Sequence, residues 1–580
     1  MLIMSVLKAR STVIPGHTMR SPFSLRIPVC TILLLLAYAT PSLSQQNECN
    51  NDAQTSADTL DDANVRARIY NNGTLFWNGG RNLYEVPKDS EINSIFTASI
   101  WIAGNVENEL RGAASTFGPY EFWPGPLDEN GLPPEDCSVY DHIWDVRQSD
   151  IEAFDMDRTV TDDLLNWPWQ LGAPVLDGDG DPTNYDIYEG DRPDIIGTQA
   201  LWWIMNDRGG PHLWTQSEPI GLEIHASAIV FNSQHQFLSN ATFYKYRIIN
   251  KNNSPLEDAR FGVFMDVDMG DASDDYVGSD SLLQLGYVYN ADSDDANGYG
   301  LTPPAVGLTL LTSPRAPADQ LDNDLDGLVD EYGEQVSAGY IMHNNKGGIL
   351  GDPNNISELW SLLRGRWLDE SPMVQGGVGW SNGGWPSDFP QKRTRFSYSG
   401  DPTVPTFWTE RVPFPGMSAN PPADRRLHIA SGPYTHAPND TLEFTLAIQW
   451  SQGSDYLDSV RQLKEDVFRL RIAAPFILNL TEVVETSSEL LPPTHSLNLE
   501  QFPNPFSDRT TLQYTLESHA PVRLSVYDLL GREIEVLVDR TEPAGTHSVQ
   551  FEGSHLPAGI YYARLESATS QLTKKLVLVR

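Results

Sequence analysis

Cysteine is nearly absent from this chain of 580 residues, with only three in all. That excludes a disulfide-dense scaffold and any zinc site built on clustered thiolates. Basic residues are scarce as well, 39 Lys and Arg against 78 Asp and Glu, for a formal charge of −39. So acidic a surface repels a phosphate backbone, which excludes nucleic acid as a partner. Beyond the first 44 residues no apolar run is long enough to cross a membrane as a helix, so no transmembrane span is expected in the mature chain. Catalytic signatures are missing too: there is no His-Glu-x-x-His, no Gly-x-Ser-x-Gly and no phosphate-cradling glycine loop with Lys. The 12 histidines are scattered without metal-ligand spacing. No catalytic residue is assigned on these grounds. A carboxylate pair of the kind glycoside hydrolases use stays open, because its two members need not be neighbours in sequence.

The N-terminus is the first positive feature. Residues 1–44 carry Lys8, Arg10, Arg20 and Arg26 but no acid, and the apolar run Ile27 to Ala39 leads to the small residues Ser42 and Ser44 before Gln45. This reads as a secretory signal peptide, with Met19 as an alternative start. Its removal leaves 35 basic residues against 78 acidic ones, a formal charge of −43. Self-repulsion on that scale favours bound divalent cations, and calcium is the one expected outside a cell. Cys49 and Cys137 are the two cysteines left after processing and can pair in an oxidising compartment.

Residues 45–480 form an acidic region of steady texture, in which short β-like runs such as Ala98 to Ala103 and Thr242 to Ile249 alternate with Gly, Pro, Asn and Asp. The expectation is a mainly β, sandwich-like cargo region of two or more subdomains with a few helices. Helices are predicted at Ser357 to Trp367 and at Leu457, Val460, Leu463, Val467 and Leu470, the second capped by Ser454 and packed on a sheet. The Trp-rich run Ala200 to Asp207 reads as core packing before it reads as a sugar platform. Residues 481–496, polar with Pro492-Pro493, are the linker.

Three acidic loops have the spacing of calcium ligands. Asp322, Asp324 and Asp326 alternate before Gly327, and Asp330 falls at the ninth loop position, as in an EF-hand loop. The twelfth position is Gly333 and not Glu, so the likeness is to an isolated Asp-rich loop. Asp177, Asp179 and Asp181 repeat the spacing, with Pro182 where the turn glycine belongs. Asp266, Asp268, Asp271, Asp274 and Asp275 follow a strand-like run, where carboxylates so crowded repel one another unless a cation lies between them.

After the linker the pattern changes. Val522, Leu524 and Val526, then Ile534, Val536 and Val538, then Val549 and Phe551, then Tyr561, Ala563 and Leu565 alternate as half-buried strands, with Gly531, Gly545 and Gly559 between them. A small Ig-like β-sandwich is expected over residues 497–580. These residues hold eight basic and ten acidic side chains, so the acidity belongs almost wholly to the cargo. Phe502-Pro503-Asn504-Pro505-Phe506, then Tyr527-Asp528 with Gly531-Arg532, then Gly559 with Tyr561, and the closing Lys574-Lys575 resemble the C-terminal sorting domain of type IX secretion in Bacteroidota-type bacteria. The resemblance implies a β-sandwich with no catalytic residue. It implies delivery to the cell surface or beyond by the type IX machinery after passage through the Sec route. It also implies removal by a C-terminal signal peptidase and release or attachment to surface lipopolysaccharide. Asn64 to Arg68, Phe122 to Leu127, Gly190 to Pro193, Asp274 to Gly278 and Ser431 to Tyr434 resemble a recurring group of large secreted proteins with the same ending. No activity is carried over from that group. The reading is an exported cell-surface or extracellular protein, its cargo a calcium-stabilised structural, adhesive or binding region with an extracellular glycan among its possible ligands. The alternative is a secreted polysaccharide-acting hydrolase.

Overall fold

Ala98-Ser-Ile-Trp-Ile-Ala103 has no solvated face, and it forms the buried centre of the strand Thr97–Val106. Ile100 and Ile102 enter the main core while Trp101 and Ala103 point the other way, so both faces of the sheet are covered. The computed structural model describes residues 56–314, 348–382, 390–405 and 408–478 apart from Arg81, and residues 498–578 apart from 503–505, 507–508, 517–519, 529–532, 544, 557–558 and 568–569. The leader, Cys49, the loop of Asp322, Asp324, Asp326 and Asp330, and the linker 481–496 lie outside the described residues.

Within the cargo two large antiparallel sheets face each other. The first runs in the order Ala57–Leu60, Arg66–Tyr70, Thr74–Leu75, Thr97–Val106, Leu256–Val267 and Arg425–His436. The second runs Asp275–Asp280, Leu285–Asn290, Ala305–Thr312, Thr441–Ser451, Ala241–Asn250, Leu222–Val230, Gln199–Asn206 and Trp123–Pro124, with Trp144–Arg147 also paired to Gln199–Asn206. One core cluster joins them, Ile100, Val263 and Leu427 from the first meeting Trp203, Ile224, Tyr244 and Leu446 from the second. This is sheet-on-sheet packing.

Helices close the outer faces. Ile356–Leu363 begins at Asn355, whose side chain accepts from Ser357 N and Glu358 N, and lays Leu359, Leu362 and Leu363 against Trp101 and Phe264. Each of those buried leucines contributes about 2 kcal/mol of apolar burial. Tyr456–Ile477 covers the second sheet with Val460, Leu463 and Val467 against Leu285, Tyr287 and Tyr289, as the periodicity predicts. Its cap is Asp455, which accepts from Leu457 N and Asp458 N, and not Ser454. Ser454 instead donates its backbone N–H to Asp458 at 2.8 Å. The carboxylate, one residue on, is the stronger acceptor for the first-turn donors.

The C-terminal region is a separate sandwich. Asn498–Phe502, Arg509–Leu516 and Gly545–Glu552 form one antiparallel sheet, and Glu533–Glu542, Ala520–Asp528, Gly559–Ser567 and Ser570–Leu578 form the other. Its core holds Leu512, Val522, Leu524, Val526, Phe551, Tyr561, Ala563 and Leu565. Val536 departs from the expected alternation and is 39% exposed. The register steps from Leu524 opposite Val538 to Ser525 opposite Val536, a bulge that turns Leu537 onto the core in its place.

Candidate metal centre and C-terminal domain

Strand pairing builds the strongest acidic site. Asp266 stands opposite Arg426 and Val267 opposite Arg425 in the first sheet, so Asp268 and Asp424 are the next residues past the end of that pair. One carboxylate oxygen from each of Asp266, Asp268 and Asp424 lies within 4.8 Å of the other two. Arg426 partly neutralises them, with Nε 2.8 Å from Asp266 Oδ1, and its terminal nitrogens 3.0 Å from Asp352 and 3.2 Å from Asp424. The compensation is incomplete. Burial pushes the Asp266 carboxyl up to about 8, and Asp268 and Asp424 push in the same direction against the pull of Arg426.

Asp275 sharpens the point. It opens the strand Asp275–Asp280 and is fully buried, with no side-chain donor on either carboxylate oxygen among the described residues and the pull of the Met269 backbone N–H to favour its charge. Burial, together with Asp274 and Asp268, holds its pKa well above the usual carboxylate range. A buried, unpaired carboxylate costs several kcal/mol unless it is protonated or meets a cation. Its neighbours in sequence are used otherwise. Asp271 accepts from Ser273 N at 3.0 Å and Ser273 Oγ at 2.7 Å, and from Asn297 at 2.8 Å. Asp274 is pushed up to about 6, first by burial and then by Asp295 and Asp271.

The second loop assembles differently from its spacing. Asp177 and Asp179 come together with Asp191, not with Asp181. Asp191 is buried and accepts from Gly178 N at 2.9 Å and Asp186 N at 2.7 Å, bonds that hold its pKa below the usual range. Asp177 and Asp179 are exposed and accept from Gly180 N and Asp181 N. Asp181 turns away to Thr183, accepting from its N at 3.0 Å and its Oγ1 at 2.6 Å. These carboxylates already serve the loop's own backbone donors, so the need for a cation is weaker here than at Asp266.

Cys137 is disulfide-bonded, and both other cysteines of the chain lie outside the described residues. Among the described residues no helix is long and apolar enough to cross a membrane.

In the C-terminal sandwich the motif residues serve as structure. Phe506 is 2% exposed, packs edge-on to Phe551 with centroids 6.1 Å apart, and bridges in parallel to Leu578 on the last strand. Tyr561 is buried, Tyr527 half-buried and Lys574 exposed. Tyr527 pairs with Tyr562, Asp528 with Tyr561, and Lys574 and Lys575 with Ala563 and Tyr562, while Gly559 meets Leu578. Phe502 closes the strand Asn498–Phe502, and Pro503, Asn504, Pro505, Gly531 and Arg532 lie outside the described residues. The opening motif is thus stapled to the last strand, which closes the sandwich. The family described as Secretion system C-terminal sorting domain matches residues 500–579.

The chain ends in a type IX sorting domain.

The sorting domain covers only the C-terminal part of the chain, and no curated protein matches the chain. The resemblance of the cargo to other secreted proteins therefore stays an expectation. Among solved structures, dimeric latent PorU from Porphyromonas gingivalis aligns over 66% of this chain and 31% of its own length, at 8% identity and a TM-score of 0.14. The chain thus spans less than a third of that protein, and the likeness is too slight to bear on fold or activity.

Proposed function

We propose that the protein is carried across the outer membrane by its sorting domain and acts at the cell surface or outside the cell as a calcium-stabilised structural, adhesive or binding protein. The observation that supports the calcium reading is the cluster of Asp266, Asp268 and Asp424, with Asp268 acting on the buried carboxylate of Asp275, which meets no side-chain donor among the described residues. A divalent cation there would offset charge that Arg426 leaves uncompensated, and oxygen-only donors suit calcium or magnesium. Its role would be to hold the end of the first sheet against the strand Asp275–Asp280. The loop of Asp322, Asp324, Asp326 and Asp330 is proposed as a second calcium site, with Asp177, Asp179 and Asp191 as a weaker third.

The remaining steps follow from the sorting domain and the leader. Residues 1–44 direct export through the Sec route, Cys49 pairs with Cys137 once they are removed, and the C-terminal signal peptidase separates the cargo. The mature cargo is then released or attached to lipopolysaccharide, and meets an extracellular glycan or another surface ligand.

Thermal unfolding of the secreted protein tests the calcium reading. Calcium at about 100 times its dissociation constant should add about 2.7 kcal/mol over the chelated protein. Asp424→Asn should abolish most of that gain and leave the chelated midpoint within a few degrees of wild type. Equal calcium responses in wild type and variant would refute the assignment to this cluster.

A further inference from the structure

The outer face of the second sheet carries a cavity of about 320 Å³ that the sorting and calcium readings leave unused. Strand register builds it. Trp202, Ser227 and Lys245 are direct cross-strand neighbours on Gln199–Asn206, Leu222–Val230 and Ala241–Asn250, and Ile204, His225 and Arg247 form the adjacent row. Cross-strand neighbours point to one side of a sheet, so the two rows present one wall. Trp202, Ile229 and Ala200 give it a buried apolar floor. Segment 167–196 lies over them, with Gly172 and Pro174 at the exposed mouth.

The polar groups converge with unused capacity. His225 is 8% exposed and sits 3.0 Å from Glu223 Oε1 through Nε2, while its Nδ1 is buried without a partner. Burial alone would raise the Glu223 pKa, but the bonds from His225 and Leu127 N and the charges of His225 and Lys251 bring it below the usual value. Nε2 of His225 thus serves Glu223, and the ring lines the cavity with Nδ1 left unpaired. Gly172 packs closely against that ring: it adopts φ +90°, and a Cβ there would come within 2.6 Å of His225 Cε1, so only glycine fits beside it. Lys245 is half-buried, and Glu443 and Asp194 are the acids that act on it, yet neither lies within ion-pair distance of its Nζ. In a chain with twice as many acids as bases, a sheltered lysine without a carboxylate partner among the described residues is unusual. Arg247 spends its Nε on Glu443 at 2.9 Å and lines the cavity, its terminal nitrogens without a partner among the described residues.

We infer that this cavity binds a small hydroxy acid, its carboxylate at Lys245 and Arg247, its body on Trp202 and Ile229, and a hydroxyl hydrogen-bonded to His225 Nδ1. A few convergent polar groups over an apolar floor, in a cavity of a few hundred Å³, is the usual form of a small-molecule site. Sugar acids and hydroxyaryl acids share this chemistry. Calorimetric titration of the secreted protein with D-glucuronate and with 4-hydroxyphenylacetate separates the two sources, with D-glucose, tyramine and phenylacetate as probes lacking the carboxylate, reversing the charge and lacking the hydroxyl. At least one hydroxy acid should bind saturably at one site per chain, and its uncharged or cationic counterpart should not. Lys245→Met should weaken binding about tenfold or more, Lys245→Arg should restore it, and His225→Phe should erase the preference for 4-hydroxyphenylacetate over phenylacetate. Unchanged melting midpoints for the two Lys245 variants separate lost binding from lost fold. Failure of both acids to bind saturably at millimolar concentration, equal binding of glucose or tyramine, or a Lys245→Met protein that binds as wild type would each overturn the assignment.

Discussion

His428 shows what a single residue does to pH response. It is fully buried beneath the helix Ile356–Leu363, with Nε2 3.1 Å from the Leu362 carbonyl and the Trp101 ring at 5.8 Å. Burial pushes its pKa down to about 4. The folded state thus keeps it neutral while the unfolded chain takes up a proton below about pH 6.5. Its contribution is present above that value and is lost as pH falls from 6.5 towards 4, at most about 3 kcal/mol. Urea midpoints for wild type and His428→Gln should diverge across that window, the wild type falling more steeply on acidification. Parallel profiles would show that His428 is protonated in the folded state. At this scale the sequence was legible for residue type and not for partnership. The alternating aspartates were visible, but Asp424 joins Asp266 and Asp268 only because the strand Arg425–His436 pairs with Leu256–Val267. Asp191 likewise replaces Asp181 beside Asp177 and Asp179, because Asp181 is engaged by Thr183. Nothing in the spacing carries either fact.

Among elements, the buried pair of Glu410 and Arg425 ties an irregular segment to the two sheets. Arg425 Nε and Nη2 reach Glu410 at 3.0 and 2.8 Å, Glu410 also accepts from Val277 N at 2.7 Å, and both side chains are essentially inaccessible. Removing one partner strands the other charge away from water, so Glu410→Ala should cost about 3–5 kcal/mol by urea denaturation. A loss below about 1 kcal/mol would mean that water reaches Arg425 when its partner is gone. Strand and helix positions were the legible part at this scale. The runs at 98–103 and 242–249 lie inside Thr97–Val106 and Ala241–Asn250, and the 3.6-residue stripe from Val460 to Leu470 faces a sheet. Local competition decided the exceptions. Asp455 outcompetes Ser454 as a cap, and a bulge at Leu537 overrides the two-residue period that Val536 obeys in sequence. Trp202 and Trp203 are both core, as their run reads: Trp203 enters the main core, and Trp202 the cluster of Phe154 and Trp167 on the other face. The cavity wall there needs three strands in register and was not legible.

For the whole molecule, the division between address and cargo was the clearest signal in the sequence. The sorting domain was legible because its motifs include sandwich anchors, as Phe506 is between Phe551 and Leu578. The order of strands in the cargo was not, since neighbours such as Ala241–Asn250 and Thr441–Ser451 are separated by almost two hundred residues. The charge follows the same division: residues 497–580 carry a net charge of only −2, so the acidity that motivates the calcium proposal belongs almost wholly to the cargo. The central claim is that the sandwich over residues 497–580 is what carries this protein out of the periplasm. The most direct measurement is fractionation of a type IX-competent host expressing the full chain or the chain ending at Ser496. The full chain should reach the surface or the medium and the truncated chain should accumulate, folded, in the periplasm. Export of the truncated chain at the level of the full one would contradict the account.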